Sequence, residues 1–170
     1  MPKEASGKYS KLLERHSRFA CIDPGARVGG GTGVAIFQEN VNCPFYTEII
    51  QSTLESYDQR IVSIIERVAE SFFVLPCGSP IFIEEPQYFD TFKGQTAARS
   101  NSLFKLIFFY GRLYERLRVT WHVCPMKIID WKGQLSKSKT EKRVQKLTGV
   151  AFKGDVADAV GMGLFVKGLF

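Results

Sequence analysis

The chain turns from apolar to acidic within the stretch Phe19-Ala20-Cys21-Ile22-Asp23-Pro24-Gly25. The four apolar residues predict a buried strand, and Pro24-Gly25 predicts a turn directly after it. The same arrangement recurs in Pro80-Ile81-Phe82-Ile83-Glu84, where a second apolar run ends at a glutamate. We therefore expect two buried strands, each of which presents a carboxylate at its end.

Two further acids open an apolar segment near the end of the chain, Gly154-Asp155-Val156-Ala157-Asp158-Ala159-Val160. Asp155 and Asp158 are three residues apart, so a helix would place both on one face near its N-terminus. Grouped carboxylates repel one another and resist burial, and they persist together mainly when cations neutralise them. Turn formation at Asp23 and helix capping at Asp155 are ordinary alternatives for single residues, but capping does not explain the convergence of four acids.

Apolar periodicity and turn residues divide the chain into strands and helices. Strands are predicted at residues 19–23, 32–37, 44–50, 81–84 and 119–123, and helices at 56–74, 101–118, 140–147 and 155–167. This order predicts an α/β fold with a mixed five-stranded sheet, an antiparallel meander extended by parallel strands, and helices on both faces. Functional groups in such sheets gather at strand ends, where the acids fall.

The composition predicts one globular domain. With 170 residues and 45% hydrophobic content, the chain can bury a full-sized core, which we place at residues 18–170 behind a flexible basic tail at residues 1–17. No apolar run approaches the roughly 20 residues that span a bilayer, and the first twenty residues do not resemble a signal peptide. We expect a cytoplasmic protein without membrane contact. The four scattered cysteines lack zinc-site spacing and predict buried free thiols.

The net charge of +6 lies in one segment of the chain. Residues 127–153 hold eight basic and two acidic side chains, whereas the remainder is neutral. A charge excess confined in this way is typical of a polyanion partner. A merely solvated helix face is the alternative on charge alone.

Carboxylates beside a basic segment favour one chemistry. Phosphodiester cleavage by two divalent cations needs hard oxygen ligands on ions about 3.5–4 Å apart, and Mg²⁺ prefers carboxylates and phosphate over histidine or thiolate. We therefore expect a metal-dependent enzyme that acts on a phosphate backbone, with Mg²⁺ as the cofactor and Mn²⁺ as a substitute.

Three pieces of the sequence, in this order, carry a resemblance to a known family. They are Cys21-Ile22-Asp23-Pro24-Gly25-Ala26-Arg27-Val28 with Thr32-Gly33-Val34, then Ile83-Glu84, and finally Asp155-Val156-Ala157-Asp158-Ala159. Each piece alone is a weak motif, but the chain from about residue 20 to 167 resembles the RuvC-type Holliday junction resolvases of the ribonuclease H-like superfamily. The resemblance implies a ribonuclease H-like sheet and a homodimer that nicks two like-polarity strands of a four-way DNA junction.

The resemblance also implies roles for individual residues. The family's catalytic, metal-binding acids match Asp23, Glu84, Asp155 and Asp158. Basic residues near the family's cleft match Lys127 and Lys142, and Tyr88 and Phe89 are the nearest equivalents of an aromatic wedge. The charge pattern adds the candidate phosphate contacts Lys137, Lys139 and Arg143. The helix at residues 101–118 is apolar on more than one face, which predicts the dimer surface.

The chain departs from the family at three places. The glycine loop is longer at Gly29-Gly30-Gly31, the tail before Asp23 is longer, and Glu84 is followed by Glu85 and Pro86. These departures favour a divergent, phage-encoded relative and leave the cut-site preference open. Because strand alternation sends Glu84 and Glu85 to opposite faces, Glu85 stays the alternative ligand.

Other functions compete with junction resolution. The same site would serve a ribonuclease H-like nuclease for flaps, other branched DNA or RNA–DNA hybrids. A non-catalytic DNA-binding module is less consistent with four retained acids. An actin-like sugar kinase or ATPase also begins with a strand, an aspartate and a glycine-rich turn, but it needs two related domains, and 170 residues are too few.

Overall fold

The computed structural model describes residues 9, 11–26, 30–87 and 101–170. Within these ranges five strands form one sheet: β1 Arg18–Asp23, β2 Thr32–Gln38, β3 Tyr46–Ile50, β4 Pro80–Glu85 and β5 His122–Lys127. Their order is β3-β2-β1-β4-β5. The pairs β1/β2 and β2/β3 are antiparallel, and β1/β4 and β4/β5 are parallel. The predicted mixed sheet is confirmed.

Helices cover both faces of the sheet, as predicted. They are α1 Tyr57–Ser71, followed by a 3₁₀ turn at Phe72–Val74, then α2 Ser102–Leu117, α3 Ile128–Trp131, α4 Lys137–Thr148 and α5 Gly154–Val166. Strand alternation gives each face its own core. In β1, Ala20 and Ile22 pack with α1 and α2, whereas Phe19 and Cys21 pack with α5. No helix in the described ranges has the length and apolar character needed to cross a bilayer.

Glycines let α5 lie unusually close to β2. A Cβ atom on Gly163 of α5 would stand 2.1 Å from the ring of Phe37, and one on Gly33 of β2 would stand 2.1 Å from the backbone oxygen of Asp155. Both distances are far below van der Waals contact. The absence of these two side chains therefore allows the first turn of α5 to rest on the end of β2, which brings Asp155 to the edge of the sheet.

The last strand differs from its prediction. We expected residues 119–123, but β5 is His122–Lys127, and Val119 is 80% exposed in the turn before it. Pro125 lies inside this strand and disfavours a strand prediction. It is tolerated because β5 is the edge strand of the described sheet, so the missing N–H of Pro125 interrupts no second ladder. The short helix α3 was not predicted either.

Part of the expected N-terminal tail packs on the core. Tyr9 and Leu13 are buried, and the Tyr9 ring meets Phe82 edge-on with centroids 5.2 Å apart. The flexible tail over residues 1–17 stays a prediction. The domain boundary at residue 18 stays a prediction, and residues 1–8 lie outside the described residues.

The four cysteines, all within the described ranges, form no disulfide, but only Cys21 is buried. Cys77 is exposed, and Cys43 and Cys124 are half-buried. The prediction of buried thiols is therefore wrong for three of the four. Cys43 and Cys77 lie in connections, and Cys124 lies on β5, at the edge of the described sheet.

The approach of α5 to β2 makes a first prediction about stability. Gly163→Ala should lower the free energy of unfolding by about 1–3 kcal/mol, because the new methyl group overlaps the Phe37 ring. Gly111→Ala in α2 is the matched control, since a Cβ there meets open space, and it should stabilise by about 0.5–1 kcal/mol. Urea unfolding of both variants provides the measurement. A Gly163→Ala protein as stable as the parent would contradict this packing.

Candidate active site

The four predicted acids meet at one edge of the sheet. Asp23 is the last residue of β1, and Glu84 lies near the end of the parallel neighbour β4, where Ile22 pairs with Ile83. Asp155 and Asp158 lie in the first turns of α5. Carboxyl ends of parallel strands share one edge of a sheet, and the close contact of α5 with β2 brings the helix to the same edge.

Asp23 lies at the centre of this group. Burial raises the pKa of Asp23 well above its usual range, and the negative charges of Glu84, Asp158 and Asp155 raise it further, whereas Lys132 lowers it. All three other acids therefore act on Asp23 electrostatically. A carboxyl group in such surroundings holds its proton more tightly than the same group does in water, unless cations compensate the negative charge.

Glu84, rather than Glu85, belongs to the group. The indole Nε1–H of Trp131 donates a 3.1 Å hydrogen bond to Glu84 Oε2. Burial and then the charge of Asp158 raise the pKa of Glu84 to about 7, against the opposing effects of Lys132 and the Trp131 hydrogen bond. Glu85 acts elsewhere, since burial and then the charge of Glu85 raise the pKa of Tyr110 to about 12.

Two lysines hold the acids of α5. Lys132 Nζ lies 2.6 Å from Asp158 Oδ1, and Lys137 Nζ lies 2.7 Å from Asp155 Oδ1. Burial raises the pKa of Asp158, and the hydrogen bond and charge of Lys132 partly offset this effect. Two ammonium groups against four carboxylates leave the fully ionised site with uncompensated negative charge.

This donor set fits a divalent cation chemically. Carboxylate oxygens are the ligands that Mg²⁺ prefers, and burial together with neighbouring negative charge raises the pKa values of Asp23 and Glu84. In the structure, however, Asp155 and Asp158 are paired with lysines, and the described ranges hold no group of three or more His, Cys, Asp or Glu side chains arranged around one ion position. Each of these lysine contacts engages Oδ1 of its carboxylate, so a cation would have to bind through Oδ2 or displace the lysine.

The predicted basic residues divide into two groups. Lys137 is brought to the acids, whereas Lys127, Lys139, Lys142 and Arg143 are exposed at the end of β5 and along α4. These four form no ion pair with the acids within the part of the chain that the structure describes. The Arg143 guanidinium instead lies 4.6 Å from the ring centroid of Phe170. Tyr88 and Phe89 lie outside the described residues.

Sequence reasoning missed two residues of the site. It counted Lys132 only as part of a basic segment and gave Trp131 no role. Trp131 is buried and holds Glu84, and Lys132 holds Asp158. The sequence signal that could have found Trp131 is its position inside a polar, basic segment. A buried tryptophan there needs an acceptor for its N–H.

Comparison with solved structures shows the fold. The structure described as "T. thermophilus RuvC in complex with Holliday junction substrate" matches with a TM-score of 0.65 and 18% identity, over 88% of this chain and 92% of that chain. The predicted ribonuclease H-like fold is thereby confirmed. No protein-family model and no curated protein matches the sequence. The expected phage origin stays a prediction.

The electrostatics of the acids make a second prediction, about pH. A carboxyl group whose pKa is higher in the folded than in the unfolded state binds more protons when folded, so its contribution to stability falls as pH rises between the two values. For Glu84 this window runs from the ordinary 4.5 to about 7. In the presence of a chelator, Glu84→Gln should therefore stabilise the protein at pH 8 by roughly 1–3 kcal/mol and have little effect at pH 4.5.

Thermal unfolding at both pH values measures this effect. Glu85→Gln is the matched control and should leave the pH dependence of the parent unchanged. Equal melting temperatures for Glu84→Gln and the parent at pH 8 would contradict a buried, uncompensated Glu84.

Proposed function

We propose that this protein is a divalent-cation-dependent endonuclease that resolves Holliday junctions by paired, symmetric nicks. The observation that carries the proposal is the meeting of Asp23, Glu84, Asp155 and Asp158 with too few cations to neutralise them. Carboxylates that are at least half-buried and surrounded by like charges are costly to the fold, so their retention favours a catalytic role. The likeness of the fold to a RuvC bound to a Holliday junction supports the choice of substrate.

The four carboxylates would hold Mg²⁺, with Mn²⁺ as a substitute. Bound there, such ions supply an activated water and stabilise the departing 3′ oxygen. The protein's own contribution is to hold the ligands in place. Trp131 orients Glu84 through its indole N–H, and the contact between Gly33 and the backbone of Asp155 sets the position of α5.

The basic residues would bind the DNA backbone. Lys132 and Lys137 already lie at the acids, where an incoming phosphate could replace the carboxylates as their partners. Exposed cations at the end of β5 and on α4 also suit phosphate contacts: they are Lys127, Lys139, Lys142 and Arg143. Tyr88 and Phe89 remain our proposed contacts to unstacked bases at the branch point.

The alternative is a nuclease with the same acids and another substrate, such as flaps, other branched DNA or RNA–DNA hybrids. The site chemistry is identical for all of them, so the choice rests on the shape of the DNA-binding surface. Cleavage of four-way junctions, flaps, hybrids and linear duplex at equal concentration separates these activities. Faster cleavage of hybrids than of junctions would favour the alternative.

A third prediction concerns Asp23. Asp23→Asn should lower junction cleavage by roughly 10³-fold or more, because a neutral amide removes the central oxygen charge, while junction binding is retained. End-labelled junctions report cleavage and symmetry of the nicks, and gel shift in Ca²⁺ reports binding. Glu70→Gln, an exposed acid on α1, is the control and should cleave like the parent. Undiminished cleavage by Asp23→Asn would reject the site.

We also propose a homodimer that forms through α2. This helix exposes 62% of Phe104, 47% of Ile107 and 52% of Phe108. Their spacing of three and four residues places them on one helix face, and a monomer rarely leaves such a patch in water. A two-fold dimer would present two sites to a junction of matching symmetry.

The fourth prediction tests this surface. Phe108→Asp should convert a dimer into a monomer, measured by sedimentation or light scattering, because it places a charge in an apolar interface. Phe73→Asp alters a phenylalanine in the 3₁₀ turn after α1 that is more exposed still, at 75%, and the dimer should persist. A monomeric parent protein would exclude the proposed assembly.

A further inference from the structure

A cavity of about 470 Å³ opens directly from the carboxylates. Asp23 and Asp155 line one end, and Tyr57, Lys105 and Leu106 line the other, where the first turns of α1 and α2 meet. The volume lies within the range of natural ligand sites, about 300–1,000 Å³. Binding of cations by the acids accounts for the first end only.

Arg60 fixes the wall of this cavity. It is only 6% exposed, and its guanidinium donates hydrogen bonds to three backbone oxygens: Ala26 at 3.0 Å, Leu54 at 2.5 Å and Glu55 at 3.2 Å. It has no carboxylate partner within the described ranges. These bonds tie the turn after β1 to the segment before α1, so the cavity wall is held by the fold rather than formed by its occupant.

The far end combines an aromatic ring with a cation. The Tyr57 hydroxyl donates a hydrogen bond to the backbone oxygen of Lys105, which joins α1 to α2 and holds the ring in place. Lys105 Nζ lies 5.5 Å from the centroid of that ring, and Leu106 adds an apolar side. A flat aromatic group that carries an anion matches all three features. A nucleotide is such a group.

The contributions of base stacking and of the cation–ring contact to affinity decide whether a base would replace Lys105 on the Tyr57 ring. Stacking of one base on an aromatic side chain changes affinity by about 5- to 150-fold. An exposed ammonium on a ring contributes only about 2- to 5-fold. A base would therefore displace Lys105 from the ring, and the ammonium would become available to a phosphate.

We propose that this cavity binds one unstacked nucleotide of the DNA strand, next to the phosphate that is cleaved, with its base on Tyr57 and a phosphate paired with Lys105. The inference rests on the proposed function, because Asp23 and Asp155 at the other end are its catalytic acids. Extrusion of a base costs least where pairing is already open. The cavity thus favours branch points over linear duplex and makes Tyr57 a specificity-determining residue.

The test combines base removal with ring removal. Abasic sites are placed one at a time on either side of the cut in a four-way junction. At one position the parent enzyme should lose about 5- to 150-fold in kcat/KM. Tyr57→Leu should lose a similar factor on the intact junction and nothing further on that abasic junction. Tyr57→Phe, which retains the ring, should remain sensitive to base removal.

Lys105→Ala tests the phosphate contact separately. It should weaken binding to intact and abasic junctions equally and reduce the salt slope of binding by about one. Phe73→Leu is the control, since its ring is 75% exposed and lies beyond the far end of α1 from the acids, and it should behave like the parent.

Two results would overturn the inference. The first is that Tyr57→Leu and the abasic site each lower kcat/KM and that their combined loss is the product of the two. The second is equal cleavage of every abasic junction by the parent, which decides the matter even if Tyr57→Leu does not fold. Failure of the proposed function looks different, because the parent would then cleave no branched DNA. In that case the same comparison of Tyr57 with Tyr57→Leu on intact and abasic junctions still tests the cavity, with binding measured in the Asp23→Asn protein.

Discussion

Burial of mutually repelling carboxylates at the edge of the sheet is the constraint on which the rest of the structure depends. Burial and neighbouring negative charge raise the pKa values of Asp23 and Glu84, so a state in which all four acids are ionised is unfavourable without further cations. Lys132 and Lys137 compensate part of this charge. The remainder is the negative charge that the proposed metal ions would neutralise.

The fold supplies the rigidity that this repulsion demands. β1 and β4 are neighbouring parallel strands in the middle of the sheet, and α5 lies against β2 without a side chain at Gly33 or Gly163 between them. The acids therefore cannot separate by small movements of loops. Trp131 and Arg60 add hydrogen bonds on either side, one to Glu84 and three to the backbone around the cavity.

The sequence predicted the features that follow from local pattern. An apolar run that ends at Asp23 or Glu84, and a spacing of three between Asp155 and Asp158, are visible in one dimension, and the ends of parallel strands meet by geometry. The position of β5 was mispredicted because Pro125 disfavours a strand locally, and only its place at the edge permits it. Arg60 and Lys132 were missed for a related reason. Long charged side chains are expected in solvent, and only distant segments of the chain provide their partners.

The two lysine–carboxylate pairs on α5 differ in solvent exposure, and this sets an order in which they open. The side chains of Lys137 and Asp155 are 48% and 24% exposed, whereas those of Lys132 and Asp158 are 13% and 9% exposed. Dissolved ions screen an exposed pair easily, while separation of a buried pair strands a charge in an apolar environment. Rising ionic strength should therefore weaken the Lys137–Asp155 pair first. The Lys132–Asp158 pair should separate only when a ligand replaces the charge that each partner loses.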